Sequence, residues 1–172
     1  MISHGQMKKQ LVHELGTLHR AFSVFIFNSK GEMLLQQRAD EKYHSGGIWT
    51  TTCGSHPRFG EEIPWAFERR LDEEMSMNCK TDFAFSFIYK TKFEYRLTEH
   101  EYDHAYFGVT EDLPFPEKAE VKDWKYTSIE NLETDIVLHR ENYTECMKIC
   151  LPQVRNQYEK TFRHKTHEYA SI

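Results

Sequence analysis

The chain has 172 residues, a formal net charge of −5 and a hydrophobic fraction of 39%, which predict one folded domain over residues 1–172 with flexible ends at 1–8 and 164–172. It contains no run of lysine and arginine and no apolar run long enough to cross a bilayer, so we expect neither nucleic-acid nor membrane partners. Four cysteines without a CxxC pair favour free thiols in a reducing compartment, and the predicted location is cytoplasmic.

The first predicted elements are two strands of a β-hairpin. Residues 21–28 (AFSVFIFN) form an apolar run, residues 29–31 a turn, and residues 32–38 (EMLLQQR) a second run. Paired glycines and charges then indicate a loop over residues 39–47, and a short strand is predicted over residues 48–53.

A helix is predicted over residues 62–75, because Phe67 and Leu71 recur at helical spacing with acidic residues between them. Alternating, aromatic-rich sequence predicts two further strands, over residues 82–95 and 101–110.

The last predicted elements are a short strand over residues 121–126, a capped helical turn after it, and a helix over residues 140–162 that Pro152 is expected to kink. Cys146 and Cys150 lie four residues apart in that helix and could share a face, either as paired metal ligands or in helix packing. The mixed order of strands and helices predicts an α/β or α+β sandwich.

Histidines and carboxylates form the first candidate site. Imidazole and carboxylate together suit a divalent ion such as zinc, manganese or iron. Two of the glutamates, two residues apart, would project to the same face of an extended strand. Spacing alone does not prove that the scattered histidines converge, and solvated surface positions are the alternative. The candidates are His13, His19, His56, Glu99 and Glu101.

The predicted central helix carries a second pattern. GEEIPWAFERRLDEEMSM, residues 60–77, resembles the helix of the Nudix superfamily, whose hydrolases use its carboxylates to bridge magnesium to a diphosphate. Glu61, Glu73 and Glu74 are present, but Arg70 stands where the hydrolases have a glutamate. This replacement removes a metal ligand and adds a group that can bind phosphate oxygens, which favours holding a diphosphate without cutting it.

The chain as a whole resembles the type I isopentenyl diphosphate isomerases, metal-dependent enzymes on a Nudix fold. The matching segments are GQMKKQLVHELGTLHRAFSVFIFN, LLQQRADEKYHSGGIW, HP, RRLDEEM, FEYR and EHEYDH. The resemblance implies a Nudix-like sandwich, with a mixed β-sheet flanked by a Nudix-type helix and a C-terminal helix. It also implies an intramolecular isomerase that interconverts isopentenyl and dimethylallyl diphosphate by metal-assisted protonation and deprotonation, as a monomer or homodimer.

The resemblance also implies roles for single residues. One divalent ion, Mn²⁺ or Zn²⁺, would be bound by the set His13, His19, His56, Glu99 and Glu101. Glu74 would hold a Mg²⁺ that bridges to the diphosphate. The basic residues placed around that diphosphate are Lys9, Arg38, Lys42 and Arg70.

For catalysis, the resemblance places Glu101 and Tyr95 on one side of the substrate and a cysteine on the other. The family's cysteine stands two residues before the histidine that corresponds to His56, and this chain has Gly54 there. Cys53 is one residue too early. On an extended segment it would face away from the pocket unless the backbone at Gly54 bends, so its orientation is the critical observation for a catalytic role.

Two further departures from the family concern the ends of the match. A tryptophan early in the family's last helix has its best match at residues 144–146, Thr-Glu-Cys. The family also has a β-strand before the segment that matches residues 5–7. Either this chain begins further upstream or its sheet lacks that edge strand.

Two other functions remain open from the sequence. The chain could be a divergent Nudix protein that hydrolyses or only binds a prenyl or nucleoside diphosphate, because the expected cysteine is missing. It could also be a non-enzymatic metal-binding or regulatory domain, although no motif favours this beyond the same losses.

Overall fold

The computed structural model describes residue 5 and residues 7–42, 44–93 and 97–169. Among these residues, seven strands form one mixed sheet. The strands are β1 (His19–Phe27), β2 (Met33–Arg38), β3 (Trp49–Thr50), β4 (Cys53–Ser55), β5 (Thr81–Lys92), β6 (Thr98–Val109) and β7 (Val121–Thr127).

The centre of the sheet is β1. It pairs in parallel with β6 and antiparallel with β2 and β4. Strand β5 extends the sheet beyond β6, while β3 and β7 both pair with β2. A parallel neighbour in the middle and antiparallel strands around it give the mixed sheet that the sequence predicted.

Helices cover both faces of this sheet. They are α1 (Lys9–Leu15), α2 (Ile63–Met75), α3 (Ile129–Leu138), α4 (Glu145–Gln157) and α5 (Arg163–Tyr169). A 3-10 turn at Arg140–Asn142 precedes α4, and a π-helical turn at Tyr158–Phe162 joins α4 to α5. The predicted α+β sandwich, with a mixed sheet, a central helix and a C-terminal helix, is therefore confirmed.

Strand β1 is buried on both faces because its alternate side chains enter two separate cores. Phe25 and Phe27 pack in the core that contains Leu151 of α4. Val24 lies on the other face, in the core that contains Leu71 of α2. The sheet thus separates an α4 side from an α2 side, and the side chain of any central strand residue belongs to one or the other.

The helix ends follow local capping chemistry. Ser128 and Thr144 cap α3 and α4 by accepting hydrogen bonds from backbone N–H groups three residues on. Helix α2 ends at Ser76, whose φ of 51° is in the left-handed region where glycine is usual. A serine therefore adopts a turn that glycine usually completes.

The helices differ from the predicted ones in four places. The predicted helical turn after β7 is the ten-residue helix α3. Helix α1 was not predicted. The last helix begins at Glu145 instead of residue 140, because Tyr143 forms a bridge to Trp49 and the N–H of Thr144 bonds the Trp49 carbonyl at 3.0 Å. Helical structure then continues to Tyr169, past the predicted end at residue 162. No helix among the described residues has the length and apolar character needed to cross a membrane.

Candidate active site

Four predicted metal ligands come together at one end of β1 and β6. His13 is in α1, His19 begins β1, His56 follows β4, and Glu101 is in β6. Their ligand atoms all lie within 4.8 Å of one another. We call these four residues the ligand group.

The strand register explains this convergence. In the parallel pairing of β1 with β6, His19 is directly opposite Glu101, so the two side chains project to the same face. In the antiparallel pairing of β1 with β4, Ser55 is opposite Phe22, which places the next residue, His56, beside the start of β1. Helix α1 ends at a left-handed glycine, which turns the chain directly into β1.

The distances within the ligand group suit one divalent ion. Glu101 Oε1 lies 2.9 Å from His56 Nε2, 3.6 Å from His19 Nε2 and 4.0 Å from His13 Nε2. The Nε2 atoms of His19 and His56 are 3.1 Å apart. Bonds of about 2.0–2.2 Å to zinc place tetrahedral donors about 3.3–3.6 Å apart, so the spacing and the nitrogen–oxygen donor set both fit a metal.

Neighbouring groups hold these ligands in orientation. His19 Nδ1 lies 2.8 Å from the carbonyl oxygen of Thr17, an arrangement that directs Nε2 towards the ligand group. The hydroxyl of Tyr89 donates to Glu101 Oε2 at 2.8 Å and lies 2.9 Å from Glu99 Oε2. Glu101 therefore presents Oε1 to the histidines while Tyr89 holds its other oxygen.

The charges of the site are set by burial and by mutual contact. Burial lowers the pKa of His13 to about 4, and the neighbouring histidines add to this effect. Burial alone would raise the pKa of Glu101, but hydrogen bonds with His19 and His56 hold it well below its usual range. The carboxylate form of Glu101 and the neutral form of His13 are the forms that bind a metal ion.

Glu99 lies next to the ligand group but contacts different residues. Its Oε2 lies 2.9 Å from the Tyr89 hydroxyl, and its Oε1 lies 3.7 Å from His44 Nε2. Burial and the charge of Glu101 raise the pKa of Glu99 to about 7. Its role as a metal ligand stays a prediction. His44, whose ring centroid is 5.9 Å from that of His13, was not singled out in the sequence, although it stands in the LLQQRADEKYHSGGIW match.

A cavity adjoins the ligand group on the α4 side of the sheet. Glu101, Glu99, His56 and Tyr89 contribute to its wall. Ser23 and Asp103, for which the sequence predicted no role, also line it. Thr144 and Cys146, from the segment that matches the family's tryptophan region, complete this part of the wall. The ligand group therefore has direct access to a space that could receive a small substrate.

Two of the four predicted diphosphate-binding residues line this cavity, namely Lys9 and Arg38. Arg38 is held by two backbone carbonyls, with Nε 3.0 Å from Ser45 O and an Nη 3.3 Å from His44 O. These two cations give the otherwise acidic cavity an anion-binding region.

The other two predicted cations bind acidic side chains. The Lys42 ammonium forms an ion pair with Glu120. Arg70 contacts Glu120 at 3.1 Å and Glu73 at 2.7 Å, and it also pairs with Glu74. Neither is among the described residues that line the cavity, so their phosphate-binding roles stay predictions.

The carboxylates of α2 are similarly occupied. Glu74 is buried, its Oε1 accepts from Arg70 Nε at 3.1 Å and its Oε2 accepts from Gln36 Nε2 at 2.8 Å. Arg69 binds Glu61 through two hydrogen bonds of 2.8 and 2.9 Å. We call Glu61, Arg69, Arg70, Glu73 and Glu74 the helix cluster; its glutamates are bound by protein cations.

Of the two remaining catalytic candidates, the structure describes only Cys53, which lies outside the cavity. Cys53 is fully buried in the core on the α2 side, opposite Val24 in the β4–β1 pairing, as alternation along an extended segment predicts. Gly54, opposite Ser23, is the residue that faces the cavity. Tyr95 lies outside the described residues.

Comparison with known proteins first identifies the protein family. A NUDIX domain model matches residues 17–146. The fold resembles that of the MutT protein from Methanosarcina mazei, with a TM-score of 0.67 and 16% identity over 83% of this chain and 96% of that one. It also resembles a MutT NUDIX hydrolase from Burkholderia pseudomallei, with a TM-score of 0.62 and 16% identity over 80% and 98%. The chain belongs to the Nudix family.

Relatives with higher sequence identity identify a group within the Nudix family. The chain is 45% identical over 146 residues to isopentenyl-diphosphate Delta-isomerase 2 of Aromatoleum aromaticum, covering 85% of this chain and 77% of the relative. It is 43% identical over 155 residues to isopentenyl-diphosphate Delta-isomerase of Pectobacterium atrosepticum, covering 90% and 87%. Within the Nudix family it therefore groups with the isopentenyl-diphosphate Delta-isomerases, which confirms the resemblance noted in the sequence.

Proposed function

We propose that this protein is an isopentenyl diphosphate isomerase, which interconverts isopentenyl and dimethylallyl diphosphate. The observation that carries the proposal is the position of Glu101, which belongs to the ligand group, is bound by Tyr89 and lines the cavity. The names of the relatives at 43–45% identity support the same substrate and reaction.

Moving the double bond requires one proton to be added to the terminal carbon and another to be removed from the carbon on the other side of the tertiary centre. The intermediate is a tertiary carbocation, which must be protected from water. Glu101 is 6% exposed and is held as a carboxylate by the histidines, so it is suited to remove the second proton. The histidines and Tyr89 fix its orientation while it does so.

A divalent ion, Mn²⁺ or Zn²⁺, would be held by His13, His19, His56 and Glu101, and when bound it would supply positive charge that polarises the Glu101 carboxylate. Lys9 and Arg38 would bind the diphosphate at the cavity. A Mg²⁺ at Glu74 would need Arg70 to exchange its contact with Glu74 for one with the phosphates. Glu99 could complete the ion's coordination from its neighbouring position.

The helix cluster argues against hydrolysis as the main activity. A Nudix hydrolase needs several helix carboxylates available to magnesium. Here Arg69 and Arg70 bind Glu61, Glu73 and Glu74. We further propose a cytoplasmic enzyme that is a monomer or a homodimer and comprises one domain, consistent with the four free cysteines.

The test is incubation of the protein with isopentenyl diphosphate, Mg²⁺ and Mn²⁺ in deuterated water. We expect deuterium in substrate and product, with no release of phosphate. Glu101→Gln should abolish incorporation, while the control Glu68→Gln, at an exposed position on α2, should retain it. Phosphate release without deuterium incorporation would favour the hydrolase alternative, and binding without either signal would contradict catalysis altogether.

A further inference from the structure

A thiol lies in the cavity at a place that the family pattern does not predict. Cys146 is in the first turn of α4 and lines the same cavity as Glu101. Its Sγ lies 3.7 Å from Asp103 Oδ2 and 3.9 Å from Ser23 Oγ. The N-cap hydrogen bond of Thr144 to the N–H of Met147 fixes the turn that carries it.

Asp103 gives independent evidence that this part of the cavity is built for a ligand. The residue is 1% exposed and lines the cavity. Its Oδ2 accepts from Ser23 Oγ at 2.8 Å, whereas Oδ1 has no hydrogen-bond partner among the described residues. Because buried carboxylate oxygens are almost always paired, an unpaired one at a cavity wall marks a position where a bound molecule is expected.

Cys146 contacts Asp103, and the spacing between Asp103 and Glu101 suits a substrate carbon chain. Glu101 and Asp103 project to the same face of β6, two residues apart, which corresponds to about 6.6 Å along the strand. Reacting atoms need separations of about 3–3.5 Å. A short carbon segment in contact with a proton donor on one side and an acceptor on the other therefore needs about 6–7 Å between them.

Cys146 also has the chemistry of a proton donor. A hydrogen bond with Cys150 and burial raise its pKa well above the usual value, so the resting residue is a neutral thiol. Gly54, which has no side chain, cannot supply such a group.

We propose that Cys146 is the catalytic acid that acts with Glu101 in this enzyme, an inference that rests on the proposed isomerase function. The Cys146 thiol gives its proton to the terminal carbon of isopentenyl diphosphate, and the π electrons form the new C–H bond. The tertiary cation is left beside the thiolate. Glu101 then takes the C2 proton, the C–H electrons form the internal double bond, and exchange with solvent restores both groups. In the reverse reaction the two roles are exchanged.

The test compares Cys146→Ala with Cys79→Ala, which alters a buried free thiol in the core on the α2 side. Deuterium incorporation and turnover are measured with isopentenyl diphosphate, and binding of dimethylallyl diphosphate is measured by calorimetry. We expect Cys146→Ala to lower kcat by about 10²-fold to 10⁴-fold, with binding and the melting temperature close to those of the wild type. Cys79→Ala should keep kcat within about threefold, since Cys79 is not among the described residues that line the cavity.

If the wild type isomerises and Cys146→Ala has the same kcat, the assignment of Cys146 is wrong and the isomerase function still stands. A wild type that incorporates no deuterium would overturn both. A loss of kcat accompanied by an equal loss of binding would also contradict a proton-transfer role, because it would show that the thiol shapes the cavity instead.

Discussion

The ligand group and the helix cluster both contain glutamates, but the side chains that face those glutamates differ. In the ligand group, the three imidazole Nε2 atoms lie within 4.0 Å of one Glu101 oxygen. In the helix cluster, the carboxylates face guanidinium groups at 2.7–3.2 Å. The first set can exchange its internal contacts for one cation, whereas the second already contains its cations as part of the protein.

This difference shows that acidic residues at metal-binding spacing do not by themselves define a metal site. The helix cluster retains three glutamates of a Nudix helix, yet Arg69 and Arg70 neutralise them. The residues of the ligand group come from four separate segments, so the distances between their ligand atoms depend on how these segments pack together. The two sets differ in whether a guanidinium group of the protein already lies against the carboxylates.

The largest expected effect separates the two clusters by metal affinity. His56→Ala removes an Nε2 that lies 2.9 Å from Glu101 and should weaken Mn²⁺ or Zn²⁺ binding by roughly 100-fold or more. Glu73→Gln, in the helix cluster, should change it by less than about threefold. Calorimetric titration of the metal-free protein measures both. Equal losses in the two variants would contradict the distinction between the clusters.

The second prediction concerns stability. Arg70→Ala leaves the buried Glu74 without its arginine and should lower the free energy of unfolding by roughly 1–3 kcal/mol. Arg58→Ala removes a cation whose side chain is 69% exposed and should cost less than about 0.5 kcal/mol. Urea denaturation at pH 7 compares them. An Arg70→Ala protein as stable as the wild type would show that the helix cluster does not depend on its cations.

The third prediction tests how firmly Glu101 is held. Tyr89→Phe removes the hydroxyl bonded to Glu101 and Glu99, so we expect metal affinity and turnover each to fall about tenfold. Tyr102→Phe removes a hydroxyl that lies 3.2 Å from Ser86 and serves as the matched control. Unchanged metal affinity in Tyr89→Phe would mean that the histidines orient Glu101 without help.

The smallest effect is a pH dependence of the metal-free ligand group. In the unfolded chain His13 is protonated near pH 6.5, whereas in the folded protein its pKa is about 4. Stability should therefore fall as the pH is lowered through this window, because the unfolded state binds more protons. In EDTA, urea denaturation of His13→Gln should show a shallower decline between pH 6.5 and 4 than His139→Gln, which alters an exposed residue. Parallel curves for the two variants would contradict a buried, neutral His13.

Much of the fold could be predicted from sequence because its signals are local. Apolar runs and alternation located β1, β5 and β6, and helical spacing located α2 almost to its ends. Helix α1 was not predicted because its seven residues, KQLVHEL, are too few for a helical period to be recognised. The start of α4 was misplaced because Tyr143 is held by Trp49, a contact between residues 94 positions apart that no local pattern reveals.

The sequence by itself determined the family, the candidate metal ligands that the fold brings together and the face to which Cys53 projects. These depend on residue type, on motif order and on the two-residue period of a strand, all of which are written along the chain. Tertiary structure alone decided that Lys42 and Arg70 bind Glu120. It also decided that Cys146 lies beside Asp103 in the cavity wall. Such contacts arise where a helix packs on a sheet, and the packing, with its distances and charges, is a property of the whole fold.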